Sequence, residues 1–263
     1  MWQTWDLGVI IFYELAFVSI PCTSVIITST HTYIARWSTT MASGFASTTP
    51  RQHLPAIPPS VLPKLVLLDR DGVVNEDVGS PGITDVSKFC LTPRAGSAIG
   101  RLRRYSFHVA LITNQSCVGK GLLTEGGLNE IHEEMRKLLL DEDDDASFDA
   151  LYCCLSRKEE QDPRMKPGCG MILEAMSDFE VRGTESVFIG DTLTDLQAAK
   201  AGGVDLRILL ETGFGKGLMG GQPALEEPVT IKSIESRGLD IVTPFVYARN
   251  LDAAATWLCG NRR

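Results

Sequence analysis

A chain of 263 residues with 44% hydrophobic and 22% charged residues has an ordinary globular makeup, enough for one large domain or two small ones. A formal net charge of −8 with no basic patch argues against a binder of nucleic-acid backbones. Cysteines at 22, 90, 117, 153, 154, 169 and 259 follow no disulfide-framework spacing, which points to a reducing compartment and mostly buried thiols.

Residues 1–60 do not read like the rest and are taken as an N-terminal extension. Leu7 to Ile27 is largely apolar but holds Glu14 and Pro21, so it makes a poor transmembrane anchor. From Leu15 through Leu68 there is no acidic residue, Ser and Thr abound, and Arg36, Arg51 and Lys64 are the only fixed charges. That bias resembles an organellar transit segment; a start at Met41, with the preceding residues an error of gene modelling, is the other reading. The chain is therefore expected in the cytoplasm, or in a plastid or mitochondrion if the extension is a transit segment. Pro55 to Pro63 reads as an extended linker into a domain spanning 61–263.

Leu65 to Leu68 is an unbroken apolar run, too short for a helix and suited to a parallel strand covered on both faces. Asp69 and Asp71 follow at its end, where ligands collect in open parallel sheets, and Gly72 lets the chain turn away. Val78 to Cys90 reads as a flap-like loop. Thr92 and Pro93 suggest an N-cap and first helical residue, with Ala95, Ala98, Ile99 and Leu102 at helical spacing. About 40 residues separate the first strand from the second, Val109 to Ile112, which leaves no room for a cap domain of ordinary size.

Thr113 stands directly after that second strand. Thr124 is placed to cap a helix whose buried face is Leu128, Ile131, Met135, Leu138 and Leu139. The acidic run Asp141 to Asp145 lacks a glycine-spaced ligand loop and reads as a solvated turn. Leu151 to Leu155 is a third strand, and Lys166-Pro167-Gly168 opens a helix with the stripe Met171, Ile172, Ala175, Met176, Phe179. Val187 to Ile189 ends on Asp191, with Asp195 one helical turn on. Leu196, Ala199 and Ala201 lie on a helix that Gly202-Gly203 stops. Leu206 to Leu210 and Phe245 to Tyr247 are further strands, Gly213 to Gly221 a glycine-rich loop, and Leu251 to Leu258 the last helix. Strands alternating with helices predict an α/β, three-layer, doubly wound (Rossmann-like) parallel sheet.

The ordered set Asp69-x-Asp71, Thr113, Lys166 and Gly190-Asp191-x-x-x-Asp195 resembles the haloacid dehalogenase (HAD) superfamily of phosphatases, subfamily IIIA. DRDGVVN followed by TNQS is similar to the branch that holds heptose bisphosphate phosphatase and the histidinol-phosphatase domain. Each motif alone has a bland reading as a cap, a turn or a surface lysine; four in order after apolar strands are far more specific.

The resemblance implies a HAD-like fold without a large cap and a phosphoric monoester hydrolase. Asp69 would be the nucleophile, and Asp71 the general acid and base with a raised pKa. Thr113 and Lys166 would steady the phosphoryl oxygens. Magnesium would sit on Asp69, the backbone carbonyl of Asp71, and Asp191, with Asp195 orienting from behind. Asn114, Gln115, Ser116 and Arg164 join Thr113 and Lys166 as substrate-binding candidates. A small phosphorylated sugar or polyol is the expected substrate, histidinol phosphate or a polynucleotide 3′-phosphate the alternatives, and a phosphate-binding pseudophosphatase the non-enzyme one. A monomer without nucleic-acid or membrane partners is expected.

Two departures stand out. The branch has a zinc loop of three cysteines and a histidine, but CCLSRKEEQDPRMK keeps Cys153 and puts Leu155, Ser156, Asp162 and Arg164 at or near the other ligand positions, so structural zinc is not expected. Met165 stands where the branch has a substrate-recognising arginine, with Arg164 displaced by one, and Cys117 replaces a glycine; Cys117 is either a redox-sensitive thiol or a plain substitution.

Overall fold

The computed structural model describes residues 63–221, 229–232, 242 and 244–261. The readings of the extension, of the start of the linker and of the 60/61 boundary fall outside these residues.

Seven strands form one sheet: β1 (Leu65–Leu68), β2 (His108–Asn114), β3 (Ala150–Cys154), β4 (Ser186–Gly190), β5 (Leu206–Leu210), β6 (Val229–Lys232) and β7 (Phe245–Ala248). Their order is β3-β2-β1-β4-β5-β7-β6, and every pairing is parallel except β6 with β7. β1 is central, with all four side chains buried as its uniform apolarity requires. Leu68 lies level with Leu111 of β2 and Ile189 of β4, so the chain leaves these three strands side by side. The strand order reverses between β1 and β4, which makes a crevice at the carboxyl edge of the sheet.

Helices cover both faces. Val66, Leu68, Val109, Leu111, Val187 and Ile189 pack with residues of α1 (Ala95–Arg104), α3 (Glu125–Glu142) and α7 (Leu251–Gly260). Leu65, Leu67, Ala110, Ile112 and Phe188, one pleat out of phase, pack with α4 (Gly170–Asp178) and α5 (Leu193–Ala201). The doubly wound, three-layer expectation holds. Between β1 and β2 lie only α1, a loop and a one-turn 3₁₀ helix, Val86–Lys88, so no cap domain is inserted there. Among the described residues no helix is long and apolar enough to cross a membrane.

Some local expectations give way. Thr92 does not cap α1; its hydroxyl donates to Val73 O (2.7 Å), and the helix begins at Ala95 behind Arg94, which has φ 65° and makes no side-chain cap. The missing cap comes from α3, whose Glu142 accepts from the backbone N–H of Gly96 and Ser97 at 3.2 Å each. Gly213 to Gly221 is not loop throughout, since Gly215–Leu218 forms α6. β6 was not legible. Thr124 caps α3 as expected, accepting from Gly127 N (3.0 Å), and Asp143 and Asp145 of the acidic turn pair with Arg104.

Candidate active site

The carboxyl ends of β1, β2 and β4 bring Asp69, Thr113, Lys166, Asp191 and Asp195 together. Lys166 arrives from the loop before α4 and is fixed there by Asn114, whose side chain donates to Lys166 O and accepts from Lys166 N, both at 3.0 Å. The buried ammonium reaches Asp69 Oδ1 and Asp195 Oδ1, each at 2.7 Å, and donates to Ile112 O (3.0 Å). Burial works against its charge, yet Asp195 and Asp69 outweigh that and hold its pKa above the ordinary lysine range.

Asp69, Asp191 and Asp195 each offer an oxygen within 4.8 Å of the others. One ammonium among three buried carboxylates leaves the centre short of positive charge. Burial first, and then the neighbouring carboxylates, push Asp69 up to about 7 and Asp191 up to about 8. Asp191 Oδ2 accepts from Phe214 N (2.9 Å), whereas Oδ1 is buried and meets no donor among the described residues. Asp69 Oδ1 takes Lys166 and the Arg70 N–H (2.7 Å), leaving Oδ2 outside these contacts. Hard oxygen donors, a charge deficit and an unmet buried oxygen suit a divalent cation such as magnesium, with Asp69 and Asp191 as ligands. Asp195 is already engaged: besides Lys166 it accepts from Thr192 N (3.0 Å) and Thr192 Oγ1 (2.6 Å), closing the cap of α5. It therefore orients the centre from behind.

The carboxylate of Asp71 stands apart from this acid cluster. Arg70 Nη2 donates to both of its oxygens (2.9 and 3.1 Å), Asn75 Nδ2 to Oδ1 (3.0 Å) and Gln115 Nε2 to Oδ2 (2.9 Å). Burial raises its pKa, but Arg70 and these hydrogen bonds prevail and set it below the usual carboxylate value. The expectation of a raised pKa is corrected. A guanidinium, not another carboxylate, is the nearest charge. Gln115 also donates to Thr113 Oγ1 (2.9 Å), so the Thr113 hydroxyl, already an acceptor, keeps its own proton to donate.

Three of the substrate-binding candidates have side chains that already meet partners within the protein. The Gln115 side chain is buried and spent on Asp71 and Thr113, and that of Asn114 on the Lys166 backbone. Arg164 is held at the surface by Glu174 of α4 (Nε to Oε1, 2.9 Å; Nη2 to Oε2, 3.1 Å) and by Cys153 O (3.1 Å), so its guanidinium already has partners within the protein. Ser116 opens the short helix α2 (Ser116–Gly119) and stays partly exposed. Where zinc ligands would stand, Asp162 accepts from Ser156 Oγ (2.5 Å), the Arg164 N–H (2.8 Å) and Cys154 Sγ (3.5 Å). Cys117 is buried, its pKa raised by that burial, and its Sγ faces Gln115 Oε1 (3.7 Å).

Sequence reasoning missed Arg70, Asn75, His132 and the segment Thr212 to Phe214. Arg70 and Asn75 sat in plain view inside DRDGVVN. The Thr212 hydroxyl donates to Gly72 O (2.5 Å), and a Cβ on Gly213 (φ 54°) would fall 1.9 Å from Asp191 Oδ2. The backbone must therefore pass this close to Asp191, which only glycine permits here. The signal was a Thr-Gly pair one residue after a strand, at the same sheet edge as the other motifs.

Comparisons with known proteins agree with this geometry. Residues 164–231 match the family model described as "HAD-hyrolase-like". The chain is 32% identical over 165 residues to D-glycero-D-manno-heptose-1,7-bisphosphate 7-phosphatase of Chlorobaculum tepidum, covering 58% of this chain and 81% of that protein. It is 34% identical over 156 residues to the D-glycero-beta-D-manno-heptose-1,7-bisphosphate 7-phosphatase of Vibrio cholerae, covering 56% and 81%. Among solved structures, D,D-heptose 1.7-bisphosphate phosphatase from B. bronchiseptica, complexed with magnesium and phosphate, superposes with a TM-score of 0.63 at 29% identity over 75% of this chain and 98% of that one. The motif acids and lysine converge in one crevice and the similarity runs over four-fifths of each relative, so the chain belongs to the HAD-type phosphatases, in the family of the heptose 1,7-bisphosphate 7-phosphatases.

Proposed function

We propose that the protein is a magnesium-dependent phosphatase of a small phosphorylated sugar or polyol, with a heptose 1,7-bisphosphate as the first substrate to try. The observation that carries this reading is Lys166 bridging Asp69 and Asp195 at 2.7 Å each, beside the unmet Asp191 Oδ1. Asp69 attacks phosphorus through Oδ2, the bond to the leaving oxygen breaks, and an aspartyl-phosphate forms. Water then attacks that phosphorus while Asp71 takes its proton and passes it to solvent, releasing phosphate and restoring both carboxylates. Thr113 donates to a phosphoryl oxygen and Lys166 offsets charge that builds up in both steps. The bound cation would neutralise the carboxylates and polarise the phosphoryl group.

Asp71 is held as a carboxylate, which suits it as the base of the second step. For the first step the proton on the leaving oxygen comes from the ester's own monoanion, relayed through Asp71; a phosphate monoester loses that proton near a pKa of about 6.

A second reading, a monophosphate such as histidinol phosphate, is favoured by the Arg164–Glu174 clamp, which takes away a cation otherwise suited to a second phosphate. Phosphate release from sugar bisphosphates, histidinol phosphate and a 3′-phosphorylated oligonucleotide, with and without magnesium, separates these. Turnover confined to the oligonucleotide, or none from any ester by folded protein, overturns the proposal. A monomer located in the cytoplasm, or in an organelle if the extension is a transit segment, goes with this reading.

A further inference from the structure

Behind Asp71 lies a buried polar chain that the reaction scheme does not use. Arg70 is 0% exposed, and its guanidinium meets one carboxylate, that of Asp71. On its far side Arg70 Nη1 faces His132 Nε2 at 3.4 Å. His132 belongs to α3 and is the polar member of an otherwise apolar buried stripe, Leu128, Ile131, Met135 and Leu139. Such a position usually holds a hydrophobic residue, and a buried imidazole needs a partner.

A guanidinium cannot accept a hydrogen bond, so His132 Nε2 must, which requires the neutral ring with its proton on Nδ1. Burial first, and then the charges of Arg70 and Arg136, disfavour the imidazolium; Asp71 favours it but does not outweigh them. Arg70 is thus fixed at both ends, by a neutral acceptor from α3 and by the carboxylate it presents to the crevice. A guanidinium without that second partner would swing through a range of angles, leaving the Asp71 carboxylate to Asn75 and Gln115, which hold one oxygen each.

We infer that His132 is a positioning residue, which through Arg70 fixes the Asp71 carboxylate for proton transfer. The inference rests on the phosphatase reading above. It assigns to α3, which supplies no other group to the centre, a part in the second half of the reaction.

The test compares His132→Leu, which removes the acceptor, with His132→Gln, whose amide oxygen can take the place of Nε2. Both are assayed as folded, magnesium-loaded protein with p-nitrophenyl phosphate, whose leaving group needs no proton. His132→Leu is expected to lower kcat and KM together by about tenfold or more, leaving kcat/KM within about twofold, while the first-turnover burst of nitrophenolate is retained. His132→Gln should recover most of the loss. Equal impairment of both variants, loss of the burst, or unchanged kcat in His132→Leu overturns the assignment. Nitrogen NMR of the wild-type ring gives a readout apart from turnover: an unprotonated Nε2 at pH 7 is expected, and a protonated one refutes the contact. A wild type inert on every ester would instead refute the phosphatase reading itself, with the ring-nitrogen result still deciding the Arg70 contact.

Discussion

Each acid at this centre has a task set by its nearest positive group. Asp69 shares Lys166 with Asp195 and keeps one oxygen outside those contacts, so Asp69→Asn is expected to abolish phosphate release while leaving the circular dichroism spectrum unchanged. Asp71 is held ionised by Arg70, and the consequence is a pH profile. If the substrate monoanion brings the first proton, kcat/KM for an alkyl phosphate should fall with unit slope above a pH of about 6, the second ionisation of the ester. An Asp71 that carried its own proton would extend the plateau past neutrality. Stopped-flow or steady-state rates across pH 5 to 9 distinguish the two.

At the scale of elements, what the sequence disclosed and what it hid divide along a physical line. Asp69, Thr113 and Asp191 were legible because each sits at or beside the end of an apolar run, where strand direction fixes the location, and Lys166 because its Lys-Pro-Gly leads into the next helix. The clamps were not. Whether Arg164 faces the crevice depends on the register of α4, which sets Glu174 beside it, and the Arg70–His132 contact joins residues 62 apart along the chain. The start of α1 was misread because its cap comes from Glu142 of another helix, and α6 because five of the nine residues from Gly213 to Gly221 are glycines, poor helix formers, of which Gly213 and Gly215 stand in close approach to their neighbours. Two outcomes belong to this scale. Gly213→Ala should weaken magnesium binding by roughly 10- to 100-fold, measured by titration calorimetry, because its methyl group displaces Asp191. Glu174→Ala should release Arg164 and raise turnover of a sugar bisphosphate relative to its monophosphate, read as a ratio of kcat/KM values.

For the molecule as a whole, the excess of negative charge at the crevice links stability to both protons and metal. In the metal-free protein the folded pKa values of Asp69 and Asp191 lie above those of the unfolded chain. The folded state therefore binds more protons, and its stability declines as pH rises through about 7 to 8. The contribution of these two acids to the melting temperature without metal should fall between about pH 4 and pH 8 and level off above that. Magnesium at about 100 times its Kd should add about 2.7 kcal/mol, a rise on the order of 5–10 °C for a domain of this size that EDTA reverses. The crevice also has a consequence for biosynthesis. Its acids are gathered from both sides of the β1/β4 boundary, and Asp191 is braced by Phe214, which follows β5. A nascent chain halted on the ribosome before that brace emerges has Asp69 but not the partner that holds Asp191, and it is expected to release no phosphate until Phe214 has left the tunnel.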